Sequence, residues 1–238
     1  MAIVGGAKVS GKLEALRNKL CVEQYYYTSV ADALSFPLNC LQRFKAWREN
    51  KGKKNNFSSD GVYPFSSLLR GSERLSVPVD NPAETPAVLQ YTGGTTGVSK
   101  GVVLTHANLT ANVEQTAAYL YMLKELQQTF LGLLPFFHVY GLSTCMLLPT
   151  LLQSTVVPVP RYVAAELLPT LEKYKVTVFP GAPSVYISLL QQKRSKKYRL
   201  SNLRLCVSGS APMPVEYIRQ FEREYNINFI EGYGLSEA

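Results

Sequence analysis

From residue 86 onward, apolar runs of strand length alternate with stretches whose apolar residues recur at helical spacing. A strand that returns parallel to its neighbour needs a crossover of about a dozen residues or more, usually a helix, and the alternation supplies one between successive runs. The fold class that follows is α/β, with parallel sheets flanked by helices. Strands are expected over residues 87–91, 101–105, 130–134, 155–159, 176–179, 203–207 and 228–231. Helices are expected over 108–123, with Thr105 or Asn108 as cap, and over 142–152, 164–173, 184–192 and 214–225, the last with Pro214 in its first turn. Residues 1–84 are less regular. A polar, Gly- and Lys-rich linker lies near residues 51–61, and Pro78 and Pro82 precede the first clear strand, so this stretch reads as part of something larger.

The first two of these strands enclose residues 89–101, Leu-Gln-Tyr-Thr-Gly-Gly-Thr-Thr-Gly-Val-Ser-Lys-Gly. Gly93, Gly94 and Gly97 let backbone N–H groups turn toward one anion, and the hydroxyls of Thr92, Thr95, Thr96 and Ser99 add donors. Lys100 supplies a compact positive charge. That combination suits a polyphosphate, with ATP or a similar nucleotide as the natural guest; an ordinary Gly/Thr-rich turn is the alternative for the loop taken alone. It is not a Walker A element, which ends Gly-Lys-Ser/Thr, because here Ser99 precedes the lysine and Gly101 follows it. Residues 6–13 come nearer to that spelling, yet Leu13 stands where a hydroxyl must hold magnesium, which makes them a decoy.

Composition narrows the class of function. With 238 residues and 46% apolar content, the chain can bury a real core in one or two domains. The longest apolar stretch, near residues 142–159, is broken by Pro149 and falls short of the roughly 20 apolar residues of a membrane span. No secretory leader pattern follows Met1, so the cytoplasm is the expected compartment. Cys21, Cys40, Cys145 and Cys206 are scattered and the chain has two histidines, which supports neither a zinc site nor a disulfide framework. The net charge of +8 is concentrated in residues 43–54 and 193–199. Solvated loops would account for both clusters, whereas the sharper alternative is peripheral attraction to an anionic membrane surface or to the phosphates of a ligand. Neither cluster sits in a nucleic-acid recognition module, so no nucleic-acid partner is expected.

Three more segments follow expected strands, where open parallel sheets bind ligands. Residues 134–141, Leu-Pro-Phe-Phe-His-Val-Tyr-Gly, place His138 among aromatics, either as a core histidine or beside a pocket. Residues 208–212, Ser-Gly-Ser-Ala-Pro, are small enough for backbone to approach a flat ring. Residues 231–237 read Glu-Gly-Tyr-Gly-Leu-Ser-Glu. In this order, and with the Gly/Thr loop, the segments resemble the signature motifs of the adenylate-forming superfamily, which comprises acyl-CoA synthetases, luciferases and peptide-synthetase adenylation domains.

The resemblance implies a set of roles. Thr92, Gly93, Gly94, Thr95, Thr96, Gly97 and Lys100 would hold the phosphates, and His138 would lie beside the reacting carboxylate. Gly209, Ser210, Ala211 and Pro212 would border adenine, on which Tyr233 stacks within the turn made by Glu231, Gly232 and Gly234. The Ser236 hydroxyl would contact the α-phosphate, and the Glu237 carboxylate would hold magnesium, Mg2+. The implied reaction joins a carboxylate to AMP from ATP, releasing pyrophosphate, before the thiol of CoA displaces AMP. Residues 28–32, 36–39 and 179–183 extend the likeness toward bacterial long-chain fatty-acid CoA ligases.

The same resemblance implies a fragment. Residues 85–238 correspond to the nucleotide- and acyl-binding α/β core, residues 1–84 to an incomplete N-terminal portion, and the small C-terminal lid domain with its lysine has no counterpart here. Little turnover is then expected of the chain alone, because closure and water exclusion would be missing. Two alternatives stand beside this one. The first is a non-catalytic nucleotide- or acyl-binding module working with a partner chain that carries the missing domain, and the second is an adenylation domain for an aryl or amino acid.

Overall fold

The computed structural model describes residues 2–6, 19, 21–49, 61–70, 79–93, 99–123, 127–192 and 198–237. The chain divides into two compact units, Met1–Val77 and Pro78–Ala238.

The first unit holds a three-stranded parallel sheet in the order β1 (Ala2–Gly6), β2 (Gln24–Thr28), β3 (Val62–Pro64). A 3-10 turn, Val30–Ala33, and helix α1 (Leu38–Glu49) lie between β2 and β3. Asp32 organises this connection: it accepts the Ser29 N–H at 2.8 Å and pairs with Arg43 of α1 at 3.4 Å. Tyr25 and Ala31 are buried, whereas Leu38, Leu41, Phe44 and Trp47 of α1 are exposed.

The second unit opens with a hairpin, β4 (Pro86–Thr92) and β5 (Lys100–Thr105), paired antiparallel as a sheet of its own. This corrects the expectation that both strands join a parallel sheet. Residues 93–99 are too few for a crossover, and a short connection can only return the chain antiparallel. Tyr91 sits opposite Gly101 and lays its ring over it, 3.3 Å from where a Cβ would be. The hairpin runs directly into α2 (His106–Tyr119), which both expected caps begin together. Thr105 Oγ1 accepts the Asn108 N–H at 3.2 Å, and Asn108 Oδ1 accepts the Thr105 N–H at 3.0 Å, a reciprocal capping box.

The remaining strands form one parallel sheet in the order β10-β9-β8-β6-β7: β6 (Thr129–Gly132), β7 (Thr155–Pro158), β8 (Val178–Gly181), β9 (Leu205–Ser208) and β10 (Asn228–Glu231). Between them come α3 (residues 139–151), α4 (Ala164–Lys173), α5 (Pro183–Leu190) and α6 (Val215–Tyr225). Neighbouring residues of a strand serve opposite cores, as the period of two requires. Leu131 and Phe179 join Leu168, Tyr186 and Phe221 in one cluster, and Phe130 and Val178 join Val113, Ala117 and Leu148 in another. Every residue of β8 and β9 is buried, as in a parallel sheet covered on both faces.

Two local departures from expectation matter for the site. β8 lies two residues later than its apolar run suggested, because Pro180 and Gly181 complete the strand by pairing with Val207 and Ser208 of β9. A proline in a central strand is tolerated where its nitrogen owes no ladder bond. β8 meets β6 at Val178 and Phe130, upstream of Pro180. Helix α3 starts at residue 139 rather than 142 and carries a π-helical stretch, Leu142–Leu147, between α-helical Val139–Gly141 and Leu148–Leu151. Its extra residue per turn turns Cys145 inward, where the thiol reaches the Leu131 carbonyl at 3.5 Å.

Candidate functional site

Strand order reverses between β6 and β8, since the chain passes from β6 to β7 on one side and continues through β8, β9 and β10 on the other. A crevice forms at the carboxyl ends of strands where connections diverge in this way. Among the loops that leave the sheet along that edge are residues 133–138 after β6, Ala182 after β8, residues 209–214 after β9 and residues 232–237 after β10. Three of them are the segments singled out in the sequence.

The loop after β6 is folded tightly on itself. The His138 N–H donates to the Pro135 carbonyl at 3.1 Å, and a Cβ on Gly141 would lie 2.2 Å from that same oxygen, so only glycine fits there. His138 is the N-cap of α3, and its Nδ1 accepts the Tyr140 N–H at 3.2 Å. The ring is exposed, and Nε2 is left for an outside partner. It is therefore not a core histidine.

The loops after β9 and β10 are tied to each other and to β8. The Gly209 N–H donates to the Gly181 carbonyl at 3.2 Å, and the Gly232 N–H donates to the Ser208 carbonyl at 2.7 Å. Ser210 has a φ of 72°, in the left-handed region, which turns Ser210, Ala211 and Pro212 outward into solvent. Glu231, although exposed, is engaged within the protein: its Oε1 accepts the N–H of buried Met213 at 2.9 Å and so fixes the far end of the same loop. The Ser208 hydroxyl is buried at this edge with no hydrogen-bond partner. Beyond β10, Tyr233 is 94% exposed, an aromatic face with nothing stacked on it. Gly234 and Glu237 are exposed too, with Ser236 half-buried between them.

Beneath the loops the edge is uncharged. Tyr140 and Tyr186 both donate to the Val207 carbonyl, at 2.7 and 3.0 Å, and Cys145 and Cys206 lie buried nearby. Burial pushes the two phenols and the two thiols above their ordinary pKa values, and each thiol raises the Tyr140 phenol further. These groups stay neutral at physiological pH. None of these four belongs to the expected site; Tyr140 falls inside the motif of residues 134–141, but its hydroxyl's partner, Val207, lies on β9 and leaves no trace in local sequence.

At the hairpin, Thr92 and Lys100 face each other across its tip, with Gly93 exposed and open space where its Cβ would be. Gly94, Thr95, Thr96 and Gly97 lie outside the described residues, as does the decoy at residues 7–13. Among the described residues no hydrogen bond joins the hairpin tip to the sheet-edge loops, and no three His, Cys, Asp or Glu side chains gather into a metal site. A lone carboxylate such as Glu237 fits a magnesium ion that arrives on a nucleotide, whose phosphates supply most of its oxygens.

Comparison with known proteins agrees with this arrangement. The AMP-binding enzyme family matches residues 8–238. A long-chain-fatty-acid–CoA ligase of Bacillus subtilis (strain 168) is 42% identical over 219 residues, covering 91% of this chain and 39% of that protein. A probable 4-coumarate–CoA ligase 1 of Dictyostelium discoideum is 33% identical over 185 residues, covering 76% of this chain and 33% of its own length. Among solved structures, an anthranilate CoA ligase in complex with anthranoyl-AMP superposes with a TM-score of 0.78 at 22% identity, covering 99% of this chain and 41% of that one. The chain thus spans well under half the length of these relatives.

Proposed function

The chain belongs to the AMP-binding enzyme family, the adenylate-forming CoA ligases, and from that membership we propose that the protein activates a long-chain fatty acid with ATP and passes it to CoA. A carboxylate oxygen attacks the α-phosphorus, the bond from that phosphorus to the bridging oxygen breaks, and pyrophosphate leaves. The CoA sulfur then attacks the acyl carbon, expelling AMP and giving the thioester.

The observation that carries this proposal is the convergence of His138, residues 209–212 and residues 232–237 on one carboxyl edge above an uncharged layer of tyrosine and cysteine side chains. An apolar acyl chain would be received there without a charge being desolvated. His138 Nε2 would face the carboxylate, Tyr233 would stack on adenine, and the Ser236 hydroxyl would meet the α-phosphate. The hairpin loop from Thr92 to Lys100 would cradle the outgoing phosphates. Glu237 would hold a magnesium ion that neutralises phosphate charge when bound. The 42% identity to the Bacillus subtilis long-chain-fatty-acid–CoA ligase supports the long-chain reading.

The proposal extends to contact with an anionic membrane, the source of such acids. On α1, Leu41 and Phe44 are exposed beside Arg43, Lys45 and Arg48, and Lys51, Lys53 and Lys54 follow in sequence. Exposed apolar side chains and neighbouring positive charges both favour an anionic lipid surface, whether or not they share one helix face.

Pyrophosphate release by the whole protein, given ATP and magnesium with palmitate, octanoate or 4-coumarate, tests the reading. Palmitate-dependent release followed by palmitoyl-CoA on adding CoA supports it. Release with 4-coumarate alone moves the substrate to the aryl class, and ATP binding without release with any acid favours a non-catalytic module.

A further inference from the structure

Tyr140 uses every polar group it has to join parts of the candidate site. Its N–H donates to His138 Nδ1 at 3.2 Å, its carbonyl accepts the Thr144 hydroxyl at 2.6 Å, and its own hydroxyl donates to the Val207 carbonyl at 2.7 Å. The same oxygen lies 3.4 Å from the Gly181 carbonyl. Its ring occupies the space over Gly209, where a Cβ would come within 2.9 Å of two ring carbons. One side chain therefore starts in the first turn of α3, directly after the His138 loop, spans the strand reversal, and ends on the carboxyl ends of β8 and β9.

We propose that Tyr140 is a positioning residue, a strut that holds the His138 loop at a fixed distance from the carboxyl ends of β8 and β9, with Gly209 as its socket. The ladder cannot do this work, because β6 and β8 pair at Phe130 and Val178 and Pro180 offers no N–H beyond that point. The hydroxyl of Tyr140 supplies a cross-link where the backbone has none. Burial keeps the phenol protonated and hence a donor. Val207 is a firm anchor, since fully buried Tyr186 donates to the same carbonyl from the helix α5 side. Gly209 thus lacks a side chain for the sake of a tyrosine on helix α3, a requirement separate from any approach of a nucleotide ring.

In its consequence for catalysis the proposal rests on the fatty-acid reading above, so the test has one arm that does not. Hydrogen exchange is followed over residues 133–141 of the whole protein, in the parent, Tyr140→Phe, Gly209→Ala and, as a remote control, Tyr174→Phe. Tyr140→Phe keeps the ring and loses only the cross-link, and is expected to speed exchange in that segment about tenfold, the ratio one hydrogen bond gives. Gly209→Ala displaces the ring and should give the same local signature, while Tyr174→Phe should give none. In the second arm, Tyr140→Phe should raise the KM for palmitate about five- to tenfold and leave the KM for ATP within about twofold. Unchanged exchange over residues 133–141 in Tyr140→Phe overturns the strut, and an equal rise in both KM values overturns its role in placing the acid. If the parent does not activate palmitate at all, the fatty-acid reading fails on its own and the exchange arm alone decides for or against the strut.

Discussion

Helices α1 and α6 are of nearly equal length, 12 and 11 residues, and each carries several large apolar side chains, yet they meet the rest of the protein differently. α6 buries Phe221 and Tyr225 against the sheet, with Tyr217 and Ile218 partly covered beside them. α1 leaves Leu38, Leu41, Phe44 and Trp47 exposed. The difference lies in spacing. Residues 217, 218, 221 and 225 are separated by steps that return to one face of a 3.6-residue helix, whereas 38, 41, 44 and 47 advance in threes and drift by about 60° at each step. A helix can carry several large apolar side chains and still present no single face to a core, and what a residue contributes then depends on the face rather than on its hydrophobicity.

The widest separation between the two units should appear in thiol reactivity. Cys21 and Cys40, in the first unit, are exposed; Cys145 and Cys206, in the second, are buried, with thiols pushed up by burial and so poor in thiolate. Alkylation at neutral pH, followed by mass spectrometry of peptides, should modify the first pair at least about a thousandfold faster, because the second pair reacts only on opening of the core. Denaturant should abolish the difference. Cys206 reacting as fast as Cys40 would break the comparison outright.

Next in size is Phe221→Ala. The ring stands 5.4 Å from Tyr186, 4.7 Å from Tyr225 and 5.9 Å from Phe229, so its removal leaves a cavity among aromatics that cannot readily collapse. A loss of about 3–5 kcal/mol in urea unfolding of the second unit is expected. Tyr186→Phe should cost less, about 1–3 kcal/mol, since the ring stays and only the donor to the Phe179 and Val207 carbonyls is lost. A Tyr186→Phe protein as unstable as Phe221→Ala would mean that the hydroxyl, and not the ring packing, organises this core.

The contrast between units also marks where sequence can be read. α4 over residues 164–173 and β10 over 228–231 match the expected ranges, because periodicity and flanking turns sit wholly within those segments. Apolar runs report strands and not their partners, and at the hairpin it is the short connection that decides the antiparallel pairing. β8 was displaced because Pro180 and Gly181 look like breakers until their pairing with β9 is known. At the site, the motif segments could be placed at strand ends from their order alone. The service of Glu231 to Met213 and of Tyr140 to Val207 could not, since each joins residues far apart in the chain.

The smallest expected effect is the one that isolates α1. Phe44→Ser removes a side chain that is 60% exposed, and it leaves no cavity, because the ring meets Trp47 at 5.8 Å on the surface and not a core. Unfolding free energy should change by no more than about 0.5 kcal/mol, the range of surface substitutions. The same substitution should weaken sedimentation with phosphatidylserine-containing vesicles several-fold, as should Arg48→Gln, while neutral vesicles bind neither parent nor variant; this follows because apolar contact and charge attraction act together at an anionic lipid surface. A large loss of stability in Phe44→Ser would show that α1 is covered in solution and that its exposed face is an internal contact. Equal vesicle binding by parent and variants would leave α1 without a membrane role and return its basic residues to ordinary solvation.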